Sequence, residues 1–261
     1  MRQILLFWLL ASCMLHACSG ADSSGGGDDS NNDTTCVYNG NLSVQSAVDI
    51  DNNYCEISGN LEIVGTTLTT LEFAHLTKVT GSLTLDSNTV LTGVSFPLLS
   101  EVGSLHVFDN ALTTLEFAHL TKVTGTLNLG SNTVLTGVSF PLLSEVGGLG
   151  IFDNAFTTLD GFAALTTILQ DLAIGKSTYL TSLAGLSHLK TIGGNLSVAV
   201  GFGDAIGPEE SGYGVIGNPA LTTIGLSSLE SIGGDMVVKF NSALTTLGLT
   251  SLESIGGNMQ L

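Results

Sequence analysis

The side chains that could carry chemistry are few and scattered. A β-rich enzyme acting on polysaccharides needs paired carboxylates, or calcium with a basic proton acceptor. The candidate acids Asp86, Asp109 and Asp153 each stand one or two residues before an asparagine, where aspartate commonly stabilises a turn. His106 stands alone and reads as a solvated surface histidine. The stretch Asp49-Ile50-Asp51-Asn52-Asn53 has the start of a calcium loop but lacks its later Gly and Glu, so backbone capping is the better reading. Asp28, Asp29 and Asp33 have no ligand spacing and read as a solvated charge run. These residues predict no catalytic group, no metal site and no cofactor.

The four cysteines divide into two pairs by context. Cys36 and Cys55 open the repetitive region, with no Cys-x-x-Cys and little histidine nearby. They predict a disulfide staple on the first unit, worth ~3 kcal/mol in the chain-entropy model. Cys13 and Cys18 follow Met1-Arg2-Gln3 and the apolar run Ile4 to Leu10. A basic start, a short apolar stretch and small residues make a secretory signal, and the run is too short for a comfortable transmembrane helix. Leu15-His16-Ala17-Cys18 resembles the lipobox of bacterial lipoproteins, and Leu10-Ala11-Ser12-Cys13 resembles it too. In that family the signal is cut before the cysteine, which is then lipidated. Cys18 is the expected lipidation site, with Cys13 the alternative, and the absence of Asp after Cys18 points to the outer membrane. An ordinary cleaved signal giving a secreted protein is the competing reading. Residues 18–35 are the lipidated cysteine and a hydrated Ser/Gly/Asp/Asn tether with nothing to bury.

The formal net charge is −17, and the only arginine, Arg2, lies in the expected signal segment (residues 1–17). Five lysines against 23 acids disfavour nucleic-acid binding, which depends on cationic contacts to phosphate. The acidic surface reads as a solubility device.

The elements that must position everything else are repeats. Residues 68–111 recur at 112–155, with 38 of the 44 positions identical. The older period is half of that. A Leu or Met opens each unit at Leu61, Leu83, Leu105, Leu127, Leu149, Leu172, Leu196, Met236 and Met259, at steps of 22, 22, 22, 22, 23, 24, 40 and 23. A Val/Ile column (Val79, Val102, Val123, Val146, Ile168, Ile192, Ile232, Ile255) and a Leu column (Leu76, Leu99, Leu120, Leu143, Leu165, Leu189, Leu229, Leu252) keep the same phase. Each unit alternates apolar and polar residues around its opening Leu, a strand with one face buried, then bends through Leu-Thr-x-Leu. A unit this short cannot bury its own apolar face; stacking puts like above like. The prediction is an all-β, right-handed β-solenoid of ~22-residue repeats over residues 36–261. Eight or nine coils at ~4.8 Å give about 40 Å. Five residues after the opening position comes Asn88, Asn110, Asn132, Asn154 and Asn241, a structural asparagine ladder, which Asn218 joins if the insertion precedes it.

Gly59-Asn60-Leu61-Glu62-Ile63 with Leu68-Thr69-Thr70-Leu71, and the run Leu244 to Gly257, resemble the receptor L domain, the ligand-binding lobe of insulin-receptor-like and epidermal-growth-factor-receptor-like proteins. The resemblance covers residues 36–261. It implies a short right-handed β-helix related to leucine-rich repeats, and an extracellular recognition scaffold. The chain departs from the receptors in having no cysteine-rich module and no kinase. Ligand contacts in that family sit at no fixed motif, so none is carried over.

The outward row of the main sheet is expected to hold Glu62, Thr84, His106, Asn128, Gly150, Ala173, Ser197 and Val237, a small and mixed set. Phe108 and Phe152 are assigned to the side wall of the core, with an exposed pair gripping a partner as the alternative. The 40-residue step carries an insertion at about residues 199–217, whose Phe202, Asp204, Glu209, Glu210 and Tyr213 form the candidate binding loop. The expected function is a non-catalytic, lipid-anchored surface scaffold that binds a protein or glycan, adhesin- or receptor-like. The alternatives are a structural spacer self-associating through edges or flanks and, less so, a polysaccharide-active enzyme.

Overall fold

The computed structural model describes residues 36–46, 49–50, 53–199 and 217–261. The chain from Cys36 to Leu261 forms one compact unit, a β-solenoid of about 9 turns with roughly 22-residue spacing. One 16-stranded sheet runs along it, and every pairing is parallel. Its first half-row holds β1 (Val37–Tyr38), β3 (Glu56–Ile57), β13 (Thr167–Ile168), β15 (Thr191–Ile192), β17 (Ser231–Ile232) and β19 (Ser254–Ile255). Its second holds β2 (Leu42–Val44), β4 (Leu61–Val64), β14 (Leu172–Gly175), β16 (Leu196–Val198), β18 (Met236–Val238) and β20 (Met259–Gln260). In the middle, four long strands span both rows: β6 (Lys78–Asp86), β8 (Glu101–Phe108), β10 (Lys122–Gly130) and β12 (Glu145–Phe152). The Leu-Thr-x-Leu segments form two small parallel pairs, β5 (Thr70–Glu72) with β7 (Gly93–Ser95) and β9 (Thr114–Glu116) with β11 (Gly137–Ser139). Further along, 3-10 turns at Asp160–Phe162 and Ala184–Leu186 follow them.

The register makes the sequence columns physical. Leu61, Leu83, Leu105, Leu127 and Leu149 pair strand by strand, and each is fully buried. Ile63, Leu85, Val107, Leu129 and Ile151 form the parallel inward column two residues on. Each such side chain is worth roughly 1.5–3 kcal/mol on burial. Opposite them Phe73, Phe96, Phe117, Phe140 and Phe162 stack ring over ring at centroid separations of 5.5, 5.6, 5.6 and 5.1 Å. The stack ends where Leu186 takes the next place in the turn.

Where the long strands bend between their two rows, glycine sits on glycine. A Cβ on Gly103 would lie 2.4 Å from the Gly81 carbonyl oxygen, and one on Gly147 would lie 2.3 Å from that of Gly125. Real Cβ contacts do not come so close, so only glycine lets successive coils keep their spacing at this corner.

The next corner is built by the asparagines. Asn132 is fully buried. Its Nδ2 donates to the Val107 and Gly130 carbonyls, both at 2.9 Å, and to Asn154 Oδ1 at 3.2 Å. Its Oδ1 accepts from the Asn110 backbone N–H at 3.0 Å and from Asn110 Nδ2 at 3.2 Å. Asn88, Asn110 and Asn154 repeat parts of this pattern. Asn218 and Asn241 continue it, with Asn218 Nδ2 donating to Asn241 Oδ1 at 3.0 Å. Thr66 and Ser177 occupy ladder positions without an amide: each donates its backbone N–H to the asparagine of the next coil, Asn88 and Asn218 respectively. The residue before the ladder position is left-handed at Ser87, Asp109, Ser131, Asp153, Lys176 and Phe240, with φ between 50° and 58°. Asp tolerates this conformation better than Lys or Phe.

A second ladder runs the other way, just before the opening Leu. The Asn60 N–H donates to Asn41 Oδ1 and the Ser82 N–H to Asn60 Oδ1, both at 2.9 Å. Further on, the Asn195, Asp235 and Asn258 N–H groups donate to Asp171, Asn195 and Asp235 at 2.7, 2.8 and 2.6 Å. The first turn is closed locally: Asp49 Oδ2 accepts from the Gln45 and Ser46 N–H groups at 2.8 and 2.6 Å. A disulfide joins Cys36 and Cys55 beside it.

Candidate functional site

The outer face of the long strands places the polar residues of the repeat side by side. Strand pairing puts Glu62, Thr84, His106, Asn128, Gly150, Ala173, Ser197 and Val237 in one outward row. Two residues on, a second row holds Val64, Asp86, Phe108, Gly130, Phe152 and Gly175. Alternation decides which way each side chain faces: Leu105 and Val107 of β8 are fully buried, so His106 and Phe108 point out.

Two expectations change here. Phe108 and Phe152 are not side-wall core residues but half-buried groups on the outer face, because they follow an inward residue by one. His106 is not fully solvated. It is half-buried and stacks on Phe108, with ring centroids 6.3 Å apart and planes 15° apart. Burial holds its pKa below the usual histidine value of 6.5, so the ring is neutral at pH 7. Its Nδ1 lies 3.3 Å from Asn128 Nδ2 and accepts from it in the tautomer protonated on Nε2. Asn128 Nδ2 also reaches Thr126 Oγ1 at 3.4 Å, while its buried Oδ1 has no donor among the described residues. The Phe108 ring lies across Gly130, where a Cβ would meet it at 2.6 Å. The gap left by Gly130 is thus what allows the ring to lie flat on the next strand.

The ion pairs lie at the rim of this face. Lys78 pairs with Glu101 at 3.2 Å and Lys122 with Glu145 at 3.1 Å, at the first-row end of the long strands. Lys176 pairs with Asp153 at 3.8 Å on the ladder corner. These exposed pairs contribute at most about 1 kcal/mol each. Among the described residues no group of three or more His, Cys, Asp or Glu could hold a metal. No described helix is long and apolar enough to cross a membrane.

The remaining sequence-derived candidates fall elsewhere. Asp109 and Asp153 occupy left-handed corners and Asp86 accepts from Ser87 Oγ at 3.0 Å, so the three do not converge on one point. Cys13, Cys18, the tether and the loop residues Phe202, Asp204, Glu209, Glu210 and Tyr213 lie outside the described residues. The 40-residue step is absorbed there: Leu196 and Met236 are direct neighbours across β16 and β18. The second ladder was missed in sequence because its positions mix Asn, Asp, Ser, Thr and Gly. The signal that could have found it is their fixed place one residue before each opening Leu or Met. At the other end of the unit, Val238, Phe240, Leu244, Leu247 and Leu261 line an apolar groove beside β20.

No family model, curated protein or solved structure matches this chain.

Proposed function

We propose that the protein is a non-catalytic surface scaffold that binds a protein or glycan partner through the solenoid, held at the outer membrane by lipid on Cys18, or on Cys13 in the alternative reading. The observation that carries the binding reading is the outer face of the long strands. It is a parallel-sheet surface carried on a stacked core and two hydrogen-bond ladders, and it displays imidazole, amide, hydroxyl and aromatic groups side by side. A surface held this rigidly loses little entropy on engaging a partner. The lipobox-like tetrapeptides and the receptor L-domain-like spacing support an exported recognition role.

The test is capture. The immobilised chain is exposed to envelope extracts and a glycan panel, with and without calcium, beside a variant lacking residues 201–214. Saturable capture lost on deletion places the site on the insertion, and capture kept by both places it on the solenoid. No saturable capture by folded protein refutes the binding reading in favour of a structural spacer. Labelled palmitate should be incorporated by Cys13→Ala and not by Cys18→Ala; the reverse would move the anchor to Cys13.

A further inference from the structure

The internal duplication contains a record of which surface has changed. Between residues 68–111 and 112–155 only six positions differ: Ser82/Thr126, Thr84/Asn128, Asp86/Gly130, Ser104/Gly148, His106/Gly150 and Val107/Ile151. The last is a buried exchange of one methylene in the core. The other five all lie on the outer face of the main sheet, in the second-row part of β6, β8, β10 and β12. That part holds only six outward positions per 44-residue copy, and the one left unchanged is the phenylalanine, Phe108/Phe152.

Solvent exposure alone does not explain this focus. Glu72, His75, Thr80, Val90, Leu98 and Asp109 are all exposed, and each is identical in the second copy. Drift over the surface would have scattered the changes among them. The core but for one methylene, the asparagine ladder and the corners are preserved, while one face diverges around a retained aromatic ring; two of its five changes, Ser82/Thr126 and Ser104/Gly148, fall on the second ladder. That is the pattern of a framework carrying a site under separate selection.

We infer that the outer face of β6, β8 and β10 is a binding site for an uncharged oligosaccharide, seated on Phe108 and hydrogen-bonded by Thr84, Asp86, His106 and Asn128. The inference rests on the binding reading above and names its ligand. Three strands at ~4.8 Å spacing and two outward rows make a surface about 10 Å by 7 Å, the size of two or three linked sugar rings. A protein partner needs about 800 Å² on each side, far more than the diverged patch offers. A pyranose ring has an apolar C–H face and a rim of hydroxyls. The half-buried Phe108 ring suits the face; amide, imidazole, hydroxyl and carboxylate groups suit the rim, supplying both donors and acceptors. No lysine or arginine lies in these two outward rows of β6, β8 and β10, and the net charge of −17 opposes an anionic polymer.

The duplication also supplies substitutions the fold tolerates. His106→Gly and Asn128→Thr each install the residue already present at the matching position of the other copy. The experiment measures binding of the full-length chain to neutral gluco-, manno- and N-acetylglucosamine oligomers of one to six units by calorimetry. Polygalacturonate and envelope protein serve as competing arms. The expected result is saturable binding to one neutral series, tightening up to two or three rings. It should weaken about tenfold or more in each exchange variant, the loss of roughly one directed hydrogen bond, with the melting temperature lowered by no more than a few degrees, since each exchange also removes the His106–Asn128 contact. Leu98→Ala, on another face, should bind as the parent does. Absence of neutral-sugar binding, tighter binding to polygalacturonate, or binding indifferent to the exchanges would overturn the inference. A captured protein lost in the same variants would overturn the saccharide while upholding the scaffold; capture of nothing would refute both.

Discussion

Asn132→Leu is the sharpest test of how the solenoid is held together. The side chain reaches five partners, the Val107 and Gly130 carbonyls, Asn154 Oδ1, and the N–H and Nδ2 of Asn110, and with two hydrogens on Nδ2 these amount to about four full hydrogen bonds. A buried hydrogen bond contributes about 0.5–1.5 kcal/mol net, so the set is worth roughly 2–6 kcal/mol. The Gly130 carbonyl keeps the Asp109 N–H, which softens the loss there, but the Asn110 N–H loses its acceptor once Oδ1 is gone. Leucine returns part of the loss through apolar burial. The expected net cost is about 2–4 kcal/mol, or about 5–15 °C in Tm for a folded unit of this size. The measurement is thermal and urea unfolding followed by circular dichroism, with m-values checked because repeat arrays can depart from two-state behaviour. Asn132→Ser should cost less, since Ser177 holds a ladder position and its Oγ donates to the Gly175 carbonyl at 3.2 Å. If Asn132→Leu shifts Tm by less than about 2 °C, or if Ser is as damaging as Leu, the ladder is not what stiffens this corner.

Other perturbations probe different contacts. Gly147→Val should destabilise by more than about 2 kcal/mol, read as a drop in Tm, because its Cβ would meet the Gly125 carbonyl and neither backbone can move without parting the coils. Phe240→Gly should raise Tm slightly, relieving a left-handed residue at φ 58° and about 1 kcal/mol of strain at an exposed site. Reducing Cys36–Cys55 should speed amide exchange in the first two coils while leaving Leu105, Leu127 and Leu149 protected, since each coil contacts mainly its neighbours. Asp49 has its pKa lowered, first by the Gln45 N–H, then by that of Ser46. Its folded pKa lies below the unfolded one, so its contribution is present above the ordinary value of 3.8 and is lost as pH falls through the folded value. Exchange at Gln45 and Ser46 should quicken over that acid window in the parent, and be fast and flat with pH in Asp49→Ala, apart from intrinsic exchange.

The sequence by itself determined the period, the inward columns and the first ladder. A parallel stack of similar coils maps distance along the chain onto one axis, so a residue recurring every 22 positions must lie above its copy. The orientation of Phe108 was also within reach, since it follows the inward Val107 by one, yet a large apolar side chain reads as core until the face it occupies is known. Tertiary structure alone decided what depends on neighbouring coils. Gly130 is small, and only the pairing of β8 with β10 shows that the Phe108 ring fills the space it leaves. Thr66 and Ser177 do not look like asparagine, and only their backbone N–H bonds to the next coil place them in the ladder. Asn218 stands 22 residues after Leu196 rather than five, and it regains its register because hydrogen bonds to Ser177 and Asn241 select its position in space, whatever the length of chain inserted before it.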